Sequence, residues 1–194
     1  MTGSFDILIV GIGGQGTILA SNILGEACLI EGRAVKGAET HGMAQRGGSV
    51  ESHIRIDGKY GPLIPPGQAD LLISFDLLEA LRYSHFLKDG GTMVVSRQIV
   101  MPTSVFTQKL IAPSEEELIA ELKKYRLCLL DADKIAAEAG SVLAQNVVML
   151  GAAAGSIPLK PESLLEAVRR SVPKKTIDVN VRAFELGRTF SGTC

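Results

Sequence analysis

Apolar positions along this chain follow two rhythms. Short, nearly unbroken runs at Phe5 to Val10, Ala69 to Phe75 and Thr92 to Ser96 are closed by glycine or polar residues, the pattern of buried parallel strands. Other stretches keep helical spacing. Ile18, Leu19, Ile23, Ala27 and Ile30 line one face of Thr17 to Glu31 and stop at Gly32; Leu77, Leu78, Leu81 and Phe86 form a second face; Leu164, Leu165 and Val168 follow Pro161, placed at a first helical position. Ser114 with Glu117 spells a capping box and predicts a helix to about Lys124. Leu127 to Leu130 is a short strand ending at Asp131, and Lys134 to Ala139 is helical. Val142 to Ala154 is almost wholly small or apolar, which predicts a helix buried on most sides, and a last helix runs from about Thr176 to Phe190.

Two strands interrupt the alternation. Arg33 to Ala38 reads as a short strand, and Val50, Ser52, Ile54 and Ile56 then alternate with Glu51, His53, Arg55 and Asp57, a strand with one polar face. Between them Glu39 to Gly48 is rich in glycine and polar side chains and reads as loop. Gly58 to Gly67 holds three prolines and three glycines and is a turn-rich connection, while Gly90 and Gly91 are expected to break the helix of Leu77 to Phe86 before the next strand. The fold expected is α/β: a Rossmann-like open, mostly parallel but mixed sheet with helices on both faces, one domain over residues 1–194.

Composition narrows the function. Lys plus Arg is 20 against 21 Asp plus Glu, so no long-range field draws a polyanion, and nucleic-acid binding is not expected. Hydrophobic residues make up 46%, more than a soluble monomer needs, which points to apolar surface that meets a partner. No apolar run reaches membrane-spanning length, and the opening segment lacks the basic flank and cleavage site of a signal peptide, so a cytoplasmic location is expected. Cys28, Cys128 and Cys194 have no CxxC spacing, and three thiols cannot ligate a four-cysteine iron–sulfur cluster. No metal site and no catalytic residue is assigned to this chain.

The chemistry concentrates in two places. Gly11, Gly13 and Gly16 satisfy GxGxxG after a strand and before a helix, the setting in which backbone amides cradle a phosphate. The same glycines equally suit a tight strand–helix junction that binds nothing. Helix-terminus contacts contribute about 0.3 to 2 kcal/mol per charge. Micromolar binding needs about 8 kcal/mol, so the turn by itself retains no cofactor. A dinucleotide fold also wants an acidic residue ending the second strand, and Glu39 is the nearest. The second place is Glu39, His41, Gln45, Arg46 and Gly47. Arg46 suits a bidentate grip on phosphate or carboxylate, or a pairing with Glu39 or a partner subunit; His41 is a proton carrier or a hydrogen-bonded loop residue.

GIGGQGTILASNILGEA, VKGAETHGMAQRGGSVESHIRI, ADLLISFDLLEALRY, NVVMLGA and NVRAFELG together resemble the gamma-type domain of the 2-oxoacid:ferredoxin oxidoreductases, in particular the indolepyruvate branch. The resemblance implies an oxidative decarboxylation in which an aryl pyruvate and coenzyme A give an aryl acetyl-CoA and carbon dioxide, with the electrons passed to ferredoxin. It implies a heterodimer or heterotetramer in which thiamine diphosphate, magnesium and iron–sulfur clusters lie on a larger subunit. It also implies contact of this chain with coenzyme A phosphates, nominating Gly11, Gly13, Gly14, Gly16 and Thr17 with Asn22 as a helix-face support. Gly14 and Gln15 stand where single-chain relatives carry an acidic residue. Two other classes share the glycine turn: a free-standing NAD- or FAD-binding module, and an adenylating enzyme, which would add a paired-cysteine zinc site.

Overall fold

The computed structural model describes residues 3–41, 47–108 and 111–191. In chain order its strands and helices are β1 (Phe5–Ile12), α1 (Thr17–Ile30), β2 (Val35–His41), β3 (Ser49–Ile56), β4 (Ala69–Ser74), α2 (Leu77–Tyr83), β5 (Leu87–Ser96), α3 (Thr103–Thr107), α4 (Glu115–Leu122), β6 (Arg126–Leu130), α5 (Ala132–Ala139), α6 (Gln145–Ala153), α7 (Pro161–Ser171) and α8 (Ile177–Ser191).

The strands form one sheet in the order β2-β3-β1-β4-β5-β6. β1 pairs in parallel with β4, β4 with β5 and β5 with β6, while β3 runs antiparallel to both β1 and β2. β3 therefore opposes the other five. Helices cover both faces, as the alternation of strand and helix predicts. On one face Ile7, Ile9, Ile54, Leu71 and Ile73 pack under α1, α5, α6, α7 and α8; on the other, Leu8, Val10, Leu72, Met93 and Val95 pack under α2 and α4. Burial of a run on both faces is why β1, β4 and β5 read as continuous apolar stretches rather than alternating ones.

Local signals set several element ends. Ser114 accepts from the Glu117 amide, and the Glu117 carboxylate accepts from the Ser114 amide, so the capping box closes. Asp131 caps α5 by accepting from the Lys134 amide, and Gly140 ends that helix at φ +119°, a conformation other residues avoid. The helix expected from Val142 to Ala154 is the deepest element. Asn146 to Ala153 are all buried, and α6 lies so close against α8 that a Cβ on Gly151 would sit 2.2 Å from the Phe184 carbonyl oxygen.

Two expectations are corrected and a third is sharpened. Glu39 to His41 are strand rather than loop: β2 continues to His41, which pairs with Val50, because β3 offers backbone partners along that whole length. Gly90 and Gly91 lie inside β5, which starts at Leu87; the pairing with β4 slips between Ala69 and Leu71, and Gly90 absorbs the irregularity at φ +74°. β3 does carry a polar face, and the structure covers most of it, with Glu51 half-buried. His53 and Arg55 are at most 8% exposed, and Arg55 makes two hydrogen bonds with Asp6 on β1, at 3.0 and 2.8 Å. A charge pair in that position is tolerated because its geometry and extra bonds, such as Arg55 Nη1 to Gly61 O at 3.1 Å, satisfy the donors.

Candidate functional site

The glycine turn lies at the C-terminal end of β1, where open α/β sheets place their ligand crevices. Its backbone is held from several directions. The Gly13 amide donates to the Gly48 carbonyl at 2.8 Å, and the Gly47 amide donates back to the Gly13 carbonyl at 3.4 Å. The two regions singled out in the sequence thus meet at Gly13 and Gly47. Gly14 is exposed at φ +110° with nothing within 4 Å of a built Cβ; Gly16 sits at φ +83° and is the N-cap of α1.

No described side chain caps α1, and among the described residues the amides of Gly14, Gly16, Thr17 and Ile18 have no hydrogen-bond acceptor. The first-turn amides of a helix point along its axis, away from its body, and carry its positive end. An anion at this turn would meet donors that the described residues leave open. Thr17 is buried, and its Cγ2 would stand 3.1 Å from a Cβ on Gly11, so its methyl packs against the strand end.

Two amide side chains complete the turn, and sequence reasoning gave neither a role there. Gln15, 8% exposed, accepts from the Ile12 amide at 2.6 Å through Oε1 and donates through Nε2 to the Phe75 carbonyl and to Gln98 Oε1. Asn146, at the start of α6, donates to the Gly16 carbonyl at 3.3 Å. The available signal for Asn146 was an amide opening an otherwise apolar run; its distance of more than a hundred residues from the turn hid the contact.

Asp76 is fully buried and caps α2, accepting from the amides of Leu78 and Glu79, while its other oxygen accepts from the Val100 amide at 2.6 Å. Beside it Glu79 hydrogen-bonds Ser49, the first residue of β3, and lies 3.2 Å from Arg82. Burial pushes both carboxyls up from their ordinary range, against the pull of these donors.

The other nominated residues are placed differently. Glu39 accepts from Ser21 Oγ on α1 at 3.0 Å. Asn22 is exposed and, with Ser21, Glu26, Leu29, Glu39 and Ile54, lines a groove of about 540 Å³ between α1 and the β2–β3 hairpin. β3 separates β2 from β1, so Glu39 does not end a strand beside β1 as the acidic residue of a dinucleotide site does. His41 ends β2; Gln45 and Arg46, like Met43, lie outside the described residues. Exposed apolar side chains include Ile18 in the first turn of α1, and Val142 and Leu143, which precede Asn146 in sequence, with Leu143 85% exposed.

The chain does not fit a four-cysteine cluster. Cys28 is buried in the core between α1 and the sheet, and burial pushes its thiol up to about 11, far from a ligating thiolate. Among the described residues no group of three His, Cys, Asp or Glu is placed to hold a metal ion, and no helix is long and apolar enough to cross a membrane.

Residues 6–190 match the family described as pyruvate ferredoxin/flavodoxin oxidoreductase. The chain is 42% identical over 189 residues to the indolepyruvate oxidoreductase subunit IorB of Pyrococcus horikoshii, covering 94% of each. It superposes with a TM-score of 0.73, at 27% identity, on the gamma subunit of a keto/oxoacid ferredoxin oxidoreductase from Geobacter sulfurreducens, covering 98% of this chain and 99% of that one. It also superposes, at a TM-score of 0.75 and 20% identity, on 32% of the 2-oxoglutarate:ferredoxin oxidoreductase of Magnetococcus marinus, a structure with 2-oxoglutarate, coenzyme A and succinyl-CoA bound; this likeness is one of fold.

Proposed function

The chain belongs to the pyruvate ferredoxin/flavodoxin oxidoreductase family, and from that premise we propose that it is the small subunit of a 2-oxoacid ferredoxin oxidoreductase acting on indolepyruvate or a similar aryl pyruvate. The observation that carries this reading is the 42% identity to an indolepyruvate oxidoreductase subunit along 94% of both chains. The reaction decarboxylates the 2-oxoacid oxidatively, joins the acyl group to coenzyme A and passes the electrons to ferredoxin. Thiamine diphosphate, which supplies the carbanion chemistry, is assigned with magnesium and the iron–sulfur clusters to a larger partner subunit. The buried thiol of Cys28 and the shortage of cysteines support that division.

This chain's own part is to complete the complex and to meet coenzyme A. The amides of Gly14, Gly16, Thr17 and Ile18, open among the described residues, suit its phosphates, and the exposed Ile18, Val142 and Leu143 suit burial against the larger subunit. Helix-terminus contacts of about 0.3 to 2 kcal/mol per charge leave the rest of the affinity to the partner. The cytoplasmic location and a heterodimer or heterotetramer belong to the same proposal.

Two experiments test it. The purified chain is expected to turn over no 2-oxoacid with coenzyme A and a redox dye until the larger subunit is added, and activity of the chain alone would end the subunit reading. In the reconstituted complex Gly14→Asp is compared with Gly14→Asn. Both carry the same positive-φ strain in open space, so the added charge is the difference. The Asp variant is expected to show the higher KM for coenzyme A; equal values would remove the phosphate contact.

A further inference from the structure

We propose that Gln15, Gln98 and Asn146 are positioning residues that hold the glycine turn in the form its open amides need, an inference that rests on the reading of the turn as the coenzyme A contact. Every polar atom of the Gln15 side chain is engaged inside the protein. Oε1 takes the Ile12 amide at 2.6 Å, and Nε2 gives to the Phe75 carbonyl at 3.2 Å and to Gln98 Oε1 at 2.7 Å. Those partners come from the end of β1, the junction after β4 and the loop after β5. The Gln98 carbonyl also accepts from the Leu77 amide at 2.9 Å, so one brace ties three strand ends together.

The fingerprint glycines make room for this brace. A Cβ on Gly11 would lie 2.7 Å from Gln15 Oε1, and a Cβ on Gly16 would lie 2.7 Å from Asn146 Nδ2. Two glycines that a dinucleotide reading gives to the phosphate thus also leave room for the amide side chains packed behind them: a Cβ at either position would push the amide tip aside. Packing alone does not ask for these side chains, since burying an amide costs free energy that an apolar residue of like shape avoids. What they add is direction: a carbonyl and an amide of the turn are each held at a fixed point, and the positive φ at Gly16 is kept.

Gln98 is only part-buried, so changing it leaves the core intact. In the reconstituted complex Gln98→Ala removes the acceptor for Gln15, and Gln98→Glu restores one. The Ala variant is expected to raise KM for coenzyme A about three- to tenfold, the range one neutral hydrogen bond spans, with a smaller change in kcat and none in KM for the 2-oxoacid. The Glu variant is expected to return KM for coenzyme A toward the parent value. Asn146→Ala is expected to act in the same direction.

Hydrogen exchange over Ile12 to Gln15 in the same complexes reads the turn without the ligand, and is expected to quicken in the Ala variants. Unchanged exchange would overturn the brace. Faster exchange with an unchanged KM for coenzyme A would overturn its positioning role. In that case the pair Gly14→Asp and Gly14→Asn separates the two ideas: a KM difference between them keeps the phosphate contact and removes only the brace's part in it.

Discussion

At the scale of single residues, the chain spends polar side chains indoors. Gln15, His53, Arg55, Asp76 and Glu79 are all buried, and each is matched with a partner. His53 has a measurable consequence. Its Nδ1 accepts from the Ile64 amide at 3.1 Å, so a proton there would break that bond, and burial holds its pKa below the ordinary 6.5. Below pH 6.5 the unfolded chain takes up a proton that the folded chain refuses, so this contribution to stability is complete above 6.5 and is lost as pH falls toward the lowered folded value. Asp76 and Glu79, raised by burial, work in the opposite sense: their contribution is present at low pH and lost as pH rises from their ordinary 3.8 and 4.5. The difference in unfolding free energy between the parent and His53→Gln isolates the histidine. It is expected to shrink as pH drops from about 7 to about 5, by about 1.4 kcal/mol for each unit by which the folded pKa is lowered. Urea denaturation across that range checks it, and a constant difference would mean that His53 titrates normally.

At the scale of elements, two contacts organise the molecule. The first is the β2–β3 hairpin, which inserts an antiparallel strand beside β1 and carries the Gly47–Gly48 backbone to the glycine turn. The second is the α6–α8 packing. A Cβ on Gly187 would lie 2.1 Å from the Val148 carbonyl oxygen, the counterpart of Gly151 against Phe184, so the two glycines let the helix backbones touch in both directions. Both obstacles are backbone, so the helices themselves must separate. Gly151→Ala is expected to destabilise by about 3 kcal/mol, the upper end of core overpacking. Gly25→Ala is the contrast: it lies mid-helix in α1 with nothing within 4 Å of a built Cβ, and is expected to stabilise by about 0.5 to 1 kcal/mol. Thermal or denaturant melts of the two variants check the pair, and similar melts would show that α6 and α8 part easily.

At the scale of the whole molecule, strand order separates this fold from a dinucleotide-binding one with the same fingerprint. With β3 between β2 and β1, Glu39 bonds to Ser21 rather than closing a ribose site. NAD titrated into the purified chain is therefore expected to give no saturation up to about 1 mM, the affinity that about 4 kcal/mol provides; tighter saturable binding by calorimetry would restore the dinucleotide reading. The sequence by itself determined the α/β alternation, the buried parallel strands, the capping box and the glycine turn between β1 and α1. These signals are local, since periodicity and turn chemistry act within a few residues. It also carried the family likeness, because motifs spread over the whole chain keep their order. Only the tertiary structure decided that β3 enters the sheet beside β1, that its polar face is covered, and that Gly11 and Gly16 face Gln15 and Asn146. Those facts depend on which distant segments meet. Hydrophobic patterning tells a residue to be inside, but a glycine's reason for being glycine lies in the neighbour that occupies its missing side chain's place.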